Sequence, residues 1–342
     1  MARLTKSQLF GVFENAVLES GWSFLHLSDA GVHPARYQVY QDGAGPKVRV
    51  YIWNMTHGGG EARPVNEYRI QITGIAPAEG APQQFLPEIG GKTLILGYWH
   101  DVGVFVGFDF TRHSGLLGAS PSMQIGEEAL NAANRKGFAA HSKGNGELAI
   151  AFRPDFMAAY IANLEALHET GVSPREVEIL DEIGEEPNDV TDEEINSSVA
   201  QERQYAVVST KRALRDLKFR GRVLTAYSHQ CAICCVQLRL LDAAHILPVA
   251  HPDSTDQTSN GIALCALHHR AYDRGFLTFD SNYRVHLNVP MVADIKASGH
   301  DGGLDKFANA LRPLIALPAD RRDHPDPAFI KASNYMRGWV LQ

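Results

Sequence analysis

Residues 227–280 read YSHQCAICCVQLRLLDAAHILPVAHPDSTDQTSNGIALCALHHRAYDRGFLTFD, and the remainder of the chain is read outward from them. All four cysteines of the 342-residue chain fall here, within 35 residues, at 231, 234, 235 and 265. Such crowding argues for metal binding in a reducing compartment rather than for a disulfide framework. Cys231 and Cys234 form a CxxC pair, and Cys265 and His268 repeat that spacing with one soft nitrogen. On a helix, three residues is one turn, so Cys265 and His268 share a face. A structural Zn²⁺ wants four such N and S ligands in a tetrahedron, and two knuckles supply them. Cys235 competes with Cys234, but the two-residue gap favours Cys234. The bland alternative is four buried thiols without metal.

Removing those ligands leaves His245, Asn260 and His269, with Asp242 and Asp273 nearby. In the order AAHILP, then SNGIALCALHH, the stretch resembles the HNH, or ββα-metal, nucleases. It is most similar to restriction endonucleases that carry this domain at the C-terminus, behind a basic GRVLTAY lead-in and ahead of YDRGFLTFD. The resemblance spans roughly residues 205–335. It implies that His245 is the general base that takes a proton from water, a task suited to an imidazole near neutral pH. It implies a single catalytic Mg²⁺ or Mn²⁺ that stabilises the developing charge and the 3′-oxygen leaving group, with His269 as a ligand. Asn260 would either bind that ion or orient the loop that holds the base. One position departs from the pattern. Many relatives carry Asp or His as a metal ligand directly before the first histidine, and this chain has Ala244. Asp242, two residues back on the strand, and Asp273, one helical turn beyond His269, are the candidate replacements. Either can equally pair with an arginine or cap a helix. Arg270 can meet a phosphate.

The flanking sequence is ordinary in composition, 44% apolar and 21% charged, and long enough for two cores. No apolar run approaches the roughly 20 residues that span a bilayer, and no export signal is visible, so a cytoplasmic location is expected. The formal net charge is −7. Residues 176–194 hold ten acids and no Lys or Arg, which leaves 32 bases against 29 acids elsewhere. Residues 203–222 then carry seven bases against the single acid Asp216, with Arg220 and Arg222 nearest the cluster. A polyanion answers to such a local field rather than to the total.

An α+β fold is expected throughout: an N-terminal mixed sheet or half-barrel with helices over 1–172, an acidic linker over 173–202 too poor in aliphatics for a core, and a ββα-metal domain over 203–342. Residues 4–20 read as a helix that Gly21 stops, 120–137 as a turn and short helix, and 154–170 as a helix. Strands are expected at 47–53, 68–73, 93–98, 102–110 and 147–152. If the first two pair, one face is core, and the other shows Arg49, Tyr51, Trp53, Arg69 and Gln71, with Arg63 in the connection. That mixture suits DNA contact, by stacking and hydrogen bonding. Packing of Tyr51 and Trp53 under a helix is the alternative. The chain therefore reads as a metal-dependent DNA endonuclease whose first domain reads a sequence or base modification on double-stranded DNA, and the resemblance implies restriction of foreign DNA, a role in defence. A homodimer is expected, because one such site cuts one strand. The rivals are a nuclease gated by a small signalling ligand and a non-catalytic zinc module that only binds DNA.

Overall fold

The computed structural model describes residues 3–29, 31–41, 43–57, 64, 66–75, 82–142, 146–168 and 173–341. In chain order the first elements are α1 (Lys6–Glu19), β1 (Ser23–His26), β2 (Ala35–Tyr40), β3 (Lys47–Asn54), β4 (Thr56–His57), β5 (Glu67–Gln71), β6 (Lys92–Trp99), β7 (Val104–Phe108) and β8 (Ser122–Gly126). There follow α2 (Glu127–Lys136), β9 (Phe138–Ser142), β10 (Leu148–Phe152), α3 (Met157–His168), α4 (Pro174–Glu185), α5 (Asp192–Ser198) and α6 (Gln201–Ala226). The remainder is β11 (Leu241–His245), β12 (Gly261–Cys265), α7 (Ala266–Asp273), β13 (Leu277–Phe279), β14 (Val285–Leu287), α8 (Val289–Ala297), α9 (Leu304–Ala310) and α10 (Pro327–Met336). The fold is α+β, in two compact units, Met1–Arg215 and Asp216–Gln342.

The first unit is built on a seven-stranded sheet of order β1-β2-β3-β6-β7-β10-β9, with only β3 and β6 parallel. A separate three-stranded sheet has the order β4-β5-β8. The expected helix at 4–20 is α1. A capping box between Thr5 and Gln8 starts it, Leu9, Phe10, Phe13, Ala16 and Val17 are its buried stripe, and Gly21 at φ 84° follows. Segment 120–137 differs from expectation, since Ser122–Gly126 is a strand and only the second half is helical. The helix expected from 154 begins instead with a 3₁₀ turn at Pro154–Phe156.

Two larger expectations are corrected. The strands at 47–53 and 68–73 do not pair, because β3 lies between β2 and β6 while β5 belongs to the other sheet. Both faces of β3 are covered, since Val48, Val50 and Ile52 are buried on one and Tyr51 and Trp53 on the other, so alternation does not mark a free face. Tyr51 is 1% exposed and Trp53 5%. Their rings stack parallel at 6.2 Å, with Phe85 edge-on at 4.9 Å from Tyr51 and His33 edge-on at 4.8 Å from Trp53. Burying an aromatic of this size is worth about 2–3 kcal/mol, so these rings are core and not a stacking platform.

The second correction concerns 173–202, which is no linker. Ser173 and Thr191 each begin a helix with a capping box, to Glu176 and Glu194, and Pro174 occupies the first turn of α4. Ile179, Leu180 and Ile183 are fully buried on α4, which packs on β9. Three aliphatics at helical spacing suffice to seat the helix; Glu176 is buried and accepts from Ala200 N–H, while Glu178, Asp181, Glu182 and Glu185 face outward and Glu185 meets Lys136.

The second unit has its own core. Phe219, Val223 and Leu224 from α6 pack with Leu241, Ile262 and Leu264 from the β11–β12 ribbon, with Ile246 just beyond β11, and with Ile233, Tyr272, Phe279 and Ile330. β13 and β14 form a hairpin turned by Asp280, whose carboxylate accepts from the backbone N–H groups of Asn282 and Arg284. The C-terminal segment folds back on this unit. Asn334 of α10 donates to the Phe279 carbonyl, and the Arg337 guanidinium lies 4.0 Å over the Tyr272 ring.

Candidate functional site

The Cys231–Cys234 knuckle follows the end of α6. It is closed by the Cys235 N–H donating to the Cys231 carbonyl and tied to β12 by Ala232 N–H donating to Ala263. Cys265 ends β12 and is the N-cap of α7, so His268 comes round one turn later to meet it. His268 Nδ1 lies 3.2 Å from Cys265 Sγ and 3.5 Å from Cys231 Sγ, and Cys234 Sγ lies 3.9 Å from Cys265 Sγ. All four ligand atoms fall within 4.8 Å of one another. A tetrahedron with arms of about 2.3 Å to sulfur and 2.0 Å to nitrogen separates its corners by about 3.5–3.8 Å, so these residues fit Zn²⁺. Cys235 is excluded: its Sγ instead accepts from Arg312 at 3.0 Å.

The thiols are poised unequally. Burial pushes Cys231 up, but the His268 hydrogen bond and backbone N–H groups outweigh it and bring it to about 6. Burial raises Cys234 to about 12. Cys231 would thus lose its proton to a metal most readily, and Cys234 least.

On β11, His245 faces Gly261 of β12 across the antiparallel ladder, and Asp242 faces Leu264. The His245 side chain is 15% exposed. Its Nε2 is 3.0 Å from Asp256 Oδ1, and its ring lies 3.8 Å from that of Phe219 at an interplanar angle of 9°. Asp256 escaped the sequence reading. It lies in the β11–β12 connection, eleven residues from its partner, where only the fold shows which acid turns inward; its place four residues before Asn260 was the one available signal.

Asn260 is fully buried. Its Oδ1 accepts from Leu247 N–H, and its Nδ2 donates to the carbonyls of Leu247 and Thr255 and to Ser254 Oγ. These bonds tie the buried Asn260 amide to residues 247–255 of the β11–β12 connection.

His269 on α7 stands between two carboxylates, with Asp242 Oδ2 3.1 Å from Nδ1 and Asp273 Oδ2 3.4 Å from Nε2. The Asp242 hydrogen bond raises His269 above the usual imidazole range and holds Asp242 below the usual carboxylate range. Ala244, by contrast, is buried in the core. Octahedral arms of about 2.1 Å put neighbouring ligand atoms about 3 Å apart, a spacing close to that of either His269–carboxylate pair. The two edges use different ring nitrogens, and among the described residues the zinc quartet is the only cluster of three or more convergent ligands.

The expected DNA-binding residues scatter. Arg220 donates to the Leu241 carbonyl and Arg222 to that of Asp256, so both brace the site's backbone. Arg270 is exposed on α7. In the first unit Arg49 lies 3.4 Å from the buried Glu88 carboxylate. Arg69 and Gln71 are half-buried on β5, and Arg63 lies outside the described residues.

Residues 231–280 match the family model described as HNH endonuclease. The second unit contains an HNH endonuclease domain. The chain is accordingly a nuclease that hydrolyses phosphodiester bonds. Residues 46–161 match a second family model, described as methylase-associated X1, which spans the strands from β3 to β10. No curated protein matches the chain. Among solved structures it is similar to one described as a modification-dependent TagI restriction endonuclease, at 13% identity over 83% of this chain and 80% of that one, with a TM-score of 0.28. Among the described residues no helix is long and apolar enough to cross a membrane.

Proposed function

We propose that the protein is a metal-dependent restriction endonuclease acting on double-stranded DNA, with His245 as the general base. The observation that carries this reading is the setting of His245 inside the HNH domain. With Nε2–H donated to Asp256, the lone pair is left on Nδ1, where it can take a proton from water as the oxygen attacks phosphorus. Asp256 then faces the imidazolium that forms and stabilises it. His269, with Asp242 or Asp273, would hold Mg²⁺ or Mn²⁺, which when bound stabilises charge on the phosphate and the departing oxygen. The Cys231, Cys234, Cys265 and His268 zinc is structural.

A segment matching a methylase-associated model suits a setting in which DNA carries methyl marks, so the first unit is proposed to read the target or its modification. With Tyr51 and Trp53 buried, Arg69 and Gln71 on β5 are the remaining contacts on that unit. Arg270 would meet a phosphate beside the metal. Cutting both strands would take two copies, hence a homodimer, in the cytoplasm.

The test is incubation of the protein with unmodified and cytosine-methylated plasmid in Mg²⁺ or Mn²⁺, beside His245→Ala. Cleavage that falls about 10²–10⁴-fold in the variant, with DNA binding retained, is the expected result. Undiminished cleavage by the variant rejects His245 as base. Binding without cleavage by the parent protein transfers support to the non-catalytic zinc module.

A further inference from the structure

We infer that Phe219 is a positioning residue for the general base. The inference rests on the reading of His245 as base, and it concerns what holds that imidazole in its plane. A histidine side chain has two rotatable bonds, and the Asp256 hydrogen bond fixes only where Nε2 sits. The ring can still swing about the line from its backbone to that nitrogen, carrying Nδ1 with it. Phe219 removes this freedom. Its ring is 2% exposed and lies flat on the imidazole, at 3.8 Å and 9° from parallel.

Phe219 is itself pinned. It sits in the 26-residue helix α6, with Val223 one turn on, and both press against the start of β12. A Cβ at Gly261 would come 2.2 Å from Val223 Cγ2 and 3.1 Å from Phe219 Cζ. Gly261 is the ladder partner of His245, so the absence of a side chain there lets the helix approach the ribbon beside the base. Arg222, from the same helix, donates to the Asp256 carbonyl at 2.8 Å. One helical turn of α6 therefore sets both restraints on His245: the plane through Phe219, and the hydrogen-bonding loop through Arg222.

The stacking mode also favours the reaction. Two neutral aromatic rings prefer an offset or an edge-on approach to a close parallel stack. A cation over a ring face is attracted to it. The contact therefore strengthens as the imidazole takes the proton from water, and a gain realised only then appears in kcat rather than in KM.

The experiment is steady-state cleavage by Phe219→Leu and Phe219→Tyr, with His245→Ala as reference and thermal unfolding of every variant. Leucine keeps the apolar bulk without the plane, and tyrosine keeps the plane. The expected result is a kcat about 10–100-fold lower in Phe219→Leu, with KM within about twofold, Tm within a few degrees of the parent and kcat largely restored in Phe219→Tyr. An unchanged kcat in Phe219→Leu overturns the inference. So does a loss of kcat in both variants that follows their loss of Tm, which marks Phe219 as packing alone. If His245→Ala itself cleaves normally, the base reading has failed; an inactive His245→Ala beside a fully active Phe219→Leu rejects the positioning role only.

Discussion

Lys6 and His33 show what a single half-buried pair does to the first unit. Lys6 Nζ lies 3.1 Å from His33 Nε2 and 4.4 Å over the Trp53 ring. Burial lowers Lys6 to about 7, and burial, then the Lys6 charge, lowers His33 to about 3. Both groups bind protons more weakly in the folded chain than in the unfolded one. Between pH 3 and 6.5 for His33, and between pH 7 and 10.5 for Lys6, the unfolded state holds the extra proton, so stability rises with pH across both windows. In Lys6→Met the urea midpoint should lose its rise between pH 7 and 10; an undiminished rise would show that Lys6 is not its source. Neither residue was legible in the sequence as a buried base, because position 6 reads as the solvent side of an amphipathic helix. Cys231, Cys234, Cys265 and His268 were legible because their geometry is local, each pair fixed by one turn of chain. Asp256 was not, since its partnership with His245 is decided by how a loop closes.

Elements carried their own signals unevenly. The capping boxes that open α4 and α5 are written in the sequence, yet ten acids drew attention from the three aliphatics that seat α4. Alternation in β3 was real, but period two says only that faces differ and not that one of them is free. β2 and His33 lie just ahead of β3 in the chain, but β6 on its other edge and Phe85 on its aromatic side come from segments far away in sequence. The contact of α6 with β12 yields a sharp expectation. Gly261→Ala should destabilise the second unit by about 1–3 kcal/mol, because the new methyl meets Val223 at closed quarters. Val223→Ala in the same chain should recover part of that loss, as read by urea denaturation; no recovery would place the cost elsewhere.

For the molecule as a whole, two units with separate cores predict two unfolding transitions in calorimetry. Only one contains the Cys3His quartet, so a chelator should lower the transition of the second unit and leave the first in place. A chelator that moved both together would mean that the units unfold as one. Two units of α+β character were readable from the sequence, whereas the position of their division was not. The compact units divide within α6, at Arg215 and Asp216, because the acidic segment supplies a packed edge to the first unit rather than a tether.

Asn260-Gly261 bears on how the protein ages. In a mobile chain an asparagine followed by glycine is the pair most prone to deamidation, as the glycine nitrogen attacks the side-chain amide and closes a succinimide. Here the amide is held by Leu247, Ser254 and Thr255, and the Gly261 N–H is donated to the Thr258 carbonyl. The folded state thus shields a chemically fragile bond, and any molecule that opens this loop for long risks gaining a carboxylate, or a rearranged backbone, beside His245. Lost activity in stored enzyme would then record, as an irreversible mark, the time each molecule had spent unfolded.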